Sequence, residues 1–294
     1  MLDVDGSVDD VILRAKSAHE NGIKNIWLTQ IFGHDSLTLC GLIGREIKDV
    51  SVGTAVTPIQ PRHPLMLAAQ TLTVNSAVGG RLTLGVGLSH QMVIEGIFGL
   101  EFSKPAHQME EYLEVLMPLL RGQGVQFKGE KYKVSTLGPI EVPMPSEPRV
   151  LVAALGERML GIAGRLANGT ATWMTGVETV KKHIVPTIRK VREDLNLGLP
   201  EVLVGLPVCV SDDKENARER ASKVFAIYGG LPSYRAMLDR EGASGPQDVA
   251  IIGSESEVKD TLLGLEGIGV TGFVGGIFGN REEKEKTLAL LGSL

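Results

Sequence analysis

The stretch Gly79-Gly80-Arg81-Leu82-Thr83-Leu84-Gly85-Val86-Gly87-Leu88-Ser89-His90 decides the fold. It reads as a tight turn, a short buried strand, and a strand end made of glycines and polar side chains. An apolar run of this length is ambiguous by period alone, but its brevity and its Gly and Val content favour a buried parallel strand. In an α/β protein, ligands bind beyond the carboxyl ends of parallel strands, so Gly87 to His90 are expected to face a bound molecule. Without a Cβ, the glycines there let backbone approach a flat ligand.

Outward from this stretch, strand and helix patterns alternate. Upstream, residues 1 to 4 read as the end of a first strand, and Ser7-x-x-Asp10 caps a helix that runs to about Asn21-Gly22. Strand Asn25 to Thr29, helix Ser36 to Ile47, strand Val50 to Val56 and helix Pro64 to Ala77 follow. Downstream, Pro105 to Leu120 is helical. Residues 122–148 are rich in Gly and Pro, and Val125 to Val134 alternates apolar and polar around Gly129, which predicts a hairpin lying over the body. Strands are then expected at Arg149 to Ala154, Thr170 to Met174, Val202 to Val210 and Gly272 to Ile277, with helices between them.

Eight strand candidates in βα alternation imply a parallel sheet closed on itself. The expected fold is α/β, a (β/α)8 TIM barrel with a hairpin-like insertion after the fourth helix. Residues 1–294 are expected to form a single domain, with the insertion at about 122–148. The first strand, at four residues, is short against the usual ~5 to 6. The expectation is therefore that the natural chain starts upstream of Met1.

Composition narrows the function class. With 294 residues the chain suits one α/β barrel, which needs ~250 residues. A net charge of -5 without a Lys/Arg cluster gives no footprint for nucleic acid or anionic membrane. No apolar run reaches the ~18 residues of a membrane span, and the start lacks the features of a signal peptide. A cytoplasmic protein acting on a small molecule is expected, with Cys40 and Cys209 as free buried thiols.

Several strand ends carry candidate chemistry. Gly85-Val86-Gly87 lacks the third glycine of a dinucleotide fingerprint, and Leu88 to Gln91 fill the place where its helix should open. His90 could act as a general acid, bind metal, or be a hydrogen-bonded core histidine. His34, His63 and His90 follow the second, third and fourth strands and, with Asp35, could bind zinc, although no pair has the usual ligand spacing. Gly156-Glu157-Arg158-Met159 opens a helix directly after a strand, where free N–H groups and the helix dipole could hold a phosphate. Gly272 to Gly279 competes for the same role. Trp173 ends the sixth strand, where it could line a pocket or fill the barrel top.

Four segments in order carry a resemblance over essentially the whole chain: Gly53-Thr54-Ala55-Val56-Thr57-Pro58, Arg62-His63-Pro64, Gly80 to Gly87, and Ala153-Ala154-Leu155-Gly156-Glu157-Arg158-Met159. Together they resemble the luciferase-like monooxygenase superfamily of flavin and deazaflavin barrels. The branch using coenzyme F420 is nearer, through Gly87-Leu88-Ser89-His90-Gln91 and Trp173-Met174-Thr175-Gly176. The resemblance implies a hydride-transfer site at the carboxyl face of the barrel, backed by a non-proline cis peptide between Ala55 and Val56. It implies that Gln30, Ala55, Val56, Thr57, Gly87, Leu88 and Ser89 line the cofactor. It also implies that Leu155, Gly156, Glu157, Arg158 and Met159 hold its phosphate, in preference to the glycines of the eighth strand.

Two departures qualify that likeness. Better-known deazaflavin relatives end the second strand with an acidic residue followed by a proton-donating histidine, where this chain has Gln30-Ile31. Sugar-phosphate dehydrogenases of the family carry glutamate where His90 stands, so that reaction is not expected. The expected activity is hydride transfer between coenzyme F420 and a small organic substrate with a C=C, C=N or C=O group. His90 is the proton partner and His34 its reserve. The alternatives are an FMN-dependent monooxygenase, a metal-dependent barrel hydrolase, and a barrel that binds flavin without turnover. The family implies a homodimer.

Overall fold

Short apolar runs that begin after turn residues form parallel strands, and the amphipathic segments between them form helices that cover the sheet. The computed structural model describes residues 1–30 and 32–294. In chain order the elements are α1 (Val8–Glu20), β1 (Asn25–Leu28), α2 (Ser36–Glu46), β2 (Ser51–Thr54), β3 (Thr57–Pro58), α3 (Pro64–Ala77), β4 (Leu82–Gly87) and α4 (Gln91–Gly96). Next come α5 (Pro105–Leu120), β5 (Gln126–Lys128), β6 (Lys133–Ser135), β7 (Arg149–Ala153), α6 (Glu157–Leu166), β8 (Gly169–Trp173), α7 (Val177–Thr179) and α8 (Val185–Asp194). The chain continues with β9 (Glu201–Val210), α9 (Lys214–Val224), α10 (Ala226–Gly230), α11 (Pro232–Glu241), β10 (Ile251–Gly253), α12 (Glu255–Gly267), β11 (Gly272–Ile277) and α13 (Arg281–Gly292). A π-helical turn, Val180–Ile184, joins α7 to α8.

Strands β1, β2, β4, β7, β8 and β9 pair in parallel in that order, and β11 pairs with the other edge of β9. This is the barrel expected from the βα alternation. The position between β11 and β1 is held by the first two residues: the Met1 amine donates to Gly275 O at 2.8 Å and Leu2 N–H to Trp27 O at 3.0 Å. The strand expected over residues 1 to 4 therefore does not form. Two bonds to two neighbours do not make a repeating ladder, and Ser7 already closes the capping box of α1. A cavity of about 780 Å³ lies along this seam, between Leu2, Arg14, Trp27, Phe273 and Leu291. Of the candidate stretches, only Gly272 to Gly279 reaches it, through Phe273, Val274, Gly275 and Ile277.

Proline at the first turn sets the starts of α3, α5 and α11, where the missing N–H costs no helical bond. The expected hairpin is present as the antiparallel pair β5 and β6. Glu111 of α5 fixes its tip by accepting the N–H groups of Glu130, Lys131 and Tyr132 at 2.7, 2.8 and 3.0 Å. Two short elements were not anticipated. β10 pairs with the end of β9 in a passage where no strand was expected, and α4 opens at Gln91, just where no helix was expected. Cys40 and Cys209 are free and buried. Among the described residues no helix is long and apolar enough to cross a membrane.

Candidate functional site

Beyond β2 the chain turns through a cis peptide between Ala55 and Val56, where the resemblance placed one, and Thr57 enters β3. Thr54 is locked to β4: its hydroxyl donates to Gly85 O at 2.8 Å and accepts from Gly85 N–H at 2.9 Å. A Cβ on Gly85 would stand 2.0 Å from Thr54 O, and one on Gly87 2.5 Å from Val56 Cγ2. These two glycines thus make room for the β2–β3 turn. Thr57 is buried, its hydroxyl 3.3 Å from that of Ser36.

At the end of β4, half-buried Leu88 packs against the main core. Ser89 takes the left-handed conformation, φ 57°, which few residues other than glycine adopt. That turn sets His90 at the start of α4, where it makes no capping bond. Half-buried His90 has no side-chain hydrogen-bond partner among the described residues, and its ring lies 5.7 Å from that of Tyr234. Burial holds its pKa below the ordinary histidine value.

The end of β1 carries a different cluster. Gln30 Oε1 accepts the Ser36 N–H at 2.8 Å. Asp35 caps α2 and meets Arg62 Nη2 at 2.5 Å and Gln70 Nε2 at 3.0 Å. Burial raises the Asp35 pKa, but bonds from Thr38 and Arg62 outweigh it and leave the carboxyl below its ordinary value. Ile31, the other residue of the Gln30-Ile31 departure, lies outside the described residues. His34 Nε2 bonds Gly6 O at 2.9 Å, and His63 caps α3 while its ring meets Tyr132. The zinc reading is therefore corrected. His34, His63 and His90 are each engaged with different partners, and no group of three metal-ligating side chains occurs among the described residues.

The two candidate phosphate turns differ. Gly156 precedes α6 with no side-chain cap, and a Cβ there would meet nothing within 4 Å. Glu157 and Arg158 are exposed, Met159 is half-buried, and Leu155 O is held by His183 Nε2 at 2.8 Å. At α13, by contrast, Asn280 and Glu283 form a complete capping box. Open donors favour an anion at α6.

Trp173 lies over the inner face of the barrel, where a Cβ on Gly276 would come within 2.6 Å of its Cη2. It also faces Phe225 and Tyr228, at ring distances of 6.2 and 5.9 Å. The sequence reading missed Phe225, Tyr228 and Tyr234, which lie in the helical segments after β9. In a chain with only 4% aromatic residues, three within ten positions was the available signal.

The fold agrees with that of known proteins. Over 238 residues the chain is 26% identical to the 5,10-methylenetetrahydromethanopterin reductase of Archaeoglobus fulgidus, covering 78% of this chain and 68% of that one. It is 27% identical over 230 residues to the F420-dependent glucose-6-phosphate dehydrogenase of Nakamurella multipartita, covering 74% and 67%. The solved coenzyme F420-dependent tetrahydromethanopterin reductase of Methanopyrus kandleri superposes with a TM-score of 0.82 at 22% identity, covering 98% of this chain and 94% of that one. The sequence profile of the luciferase-like monooxygenases matches residues 1–272, and the chain belongs to that family of enzymes.

Proposed function

We propose that the protein is an oxidoreductase that uses coenzyme F420 to pass a hydride to a C=C, C=N or C=O group of a small organic substrate. The observation that carries this reading is the grouping on one barrel face of the cis Ala55–Val56 turn, the Gly87 to His90 strand end and the uncapped start of α6. The fit to the coenzyme rests on α6, whose open N–H groups and vacant space at Gly156 suit a phosphate. Gly156 to Met159 would hold that phosphate, and Gln30, Ala55, Val56, Thr57, Gly87, Leu88 and Ser89 would line the ring system. When bound, the deazaflavin supplies two electrons as hydride, and it reacts poorly with oxygen.

The chain supplies orientation and a proton. His90 holds that proton at an imidazole nitrogen, with no protein acceptor competing for it among the described residues. His34 is tied to Gly6 O and stays in reserve. For the whole protein we propose cytoplasmic action as a homodimer, without nucleic-acid or membrane partners. Met92, Ile97 and Phe98 stand exposed in one short segment, and exposed apolar groups of this kind suit a protein contact.

Turnover of reduced coenzyme F420 with unsaturated substrates tests the reading. His90→Ala is expected to abolish turnover while cofactor affinity is kept, and unchanged turnover would remove His90 from the mechanism. The pH profile gives the sign. Because burial lowers its pKa, His90 is mostly neutral at pH 7, so reduction should speed up as pH falls through an inflection below 6.5. That inflection should vanish in His90→Ala.

A further inference from the structure

The passage after β9 adds an aromatic wall to the same face, and the inference drawn from it rests on the site proposed above. Ring centroids run from His90 to Tyr234 at 5.7 Å, Tyr234 to Tyr228 at 5.3 Å, Tyr228 to Trp173 at 5.9 Å and Trp173 to Phe225 at 6.2 Å. Every pair is tilted or edge-on, the arrangement that ring quadrupoles favour. The wall therefore spans the ends of β4 and β8 as one surface.

One carboxylate ties the wall down. Glu241, at the end of α11, accepts the N–H groups of Glu178 and Thr179 at 3.1 and 2.6 Å, in the otherwise uncapped first turn of α7. A Cβ on Gly176 would lie 2.2 Å from Glu241 Cδ, which explains the glycine of Trp173-Met174-Thr175-Gly176. The helix bearing Tyr234 is thus fastened to the strand end bearing Trp173. Arg235 secures the other side, donating to Asp239 Oδ1 at 2.8 Å, Ala243 O at 2.6 Å and Ser244 O at 3.0 Å.

The wall carries polarity without free charge. Burial pushes the hydroxyls of Tyr228 and Tyr234 up and His90 down, so all three are mainly neutral at pH 7. Arg235 is spent on Asp239 and two carbonyls, and Arg62 on Asp35. Half-buried Tyr234 makes no side-chain hydrogen bond among the described residues, so its hydroxyl is free to donate to a bound molecule. We propose that this wall selects flat, uncharged, conjugated substrates and that the Tyr234 hydroxyl donates a hydrogen bond to the substrate's carbonyl oxygen. A carboxylate or phosphate on the substrate would lose its water against the rings and find no cation in return.

Cinnamamide and cinnamate test this, since they share a skeleton and differ in charge. Their binding to the purified protein is measured by ligand-observed saturation-transfer NMR and by quenching of Trp173 fluorescence in a Trp27→Phe background, which leaves one indole. Cinnamamide is expected to bind saturably and at least about tenfold more tightly than cinnamate, and Tyr234→Phe to weaken it about tenfold. Equal or tighter cinnamate binding, no saturable cinnamamide binding, or an unaffected Tyr234→Phe variant would each overturn the proposal. None of these readouts uses coenzyme F420, so failure of the cofactor reading would show separately, in a cofactor titration.

Discussion

The helices α6 and α13 both follow glycine-bearing strand ends of the same barrel, yet their first turns are opposite in chemistry. At α13 the side chains of Asn280 and Glu283 satisfy each other's backbone donors. At α6 no side chain does so. A helix start whose donors are already paired has little left for a phosphate, while an open one keeps both its N–H groups and its dipole. A glycine-rich strand end is therefore a weak sign of an anion site, and the residue at the N-cap tells more.

Gly156→Asp breaks the comparison most severely, because it gives α6 a cap and a negative charge together. Affinity for coenzyme F420 should fall about 100-fold, equivalent to about 2.7 kcal/mol of lost charge-assisted bonding. Folding stability should hold or rise slightly, as an Asp cap exceeds a Gly cap by only about 0.3 kcal/mol. Calorimetric titration and a thermal melt measure the two effects, and a loss of affinity together with a collapse of stability would point to damage instead. Asn280→Ala is the mirror experiment: about 1 kcal/mol of stability lost, a drop in Tm of about 2 °C, and no change in cofactor affinity. A weaker cofactor affinity there would return the eighth-strand turn to candidacy. Arg158→Ala should weaken cofactor binding only about threefold at low salt and less at high salt, since an exposed charge near a helix start is readily screened.

The same contrast shows what the residues reveal before folding is known. Helices α3 and α5 match their expected limits, because Pro64 and Pro105 fix the first helical turn through a local backbone restriction, and strand β11 also matches. The position of the cis peptide was legible only through resemblance to a family. The reason for Gly85 and Gly87 was not legible, since the atoms that fill their space belong to Thr54 and Val56 on a neighbouring strand. Nor could the three histidines be separated by counting strand ends. His63 caps its own helix through Leu65, but His34 and His90 meet Gly6 and Tyr234, which are distant in sequence. The aromatic wall was hidden for the same reason: its order comes from Glu241 reaching across to α7, a contact between residues more than sixty positions apart.

The most direct test of the central claim is to titrate the purified apo-protein with coenzyme F420 and, separately, with FMN, following ring fluorescence and absorbance. Micromolar or tighter binding of coenzyme F420, with weak binding of FMN and loss of the former in Gly156→Asp, is the predicted result. Preference for FMN, or coenzyme F420 affinity indifferent to Gly156→Asp, would contradict it.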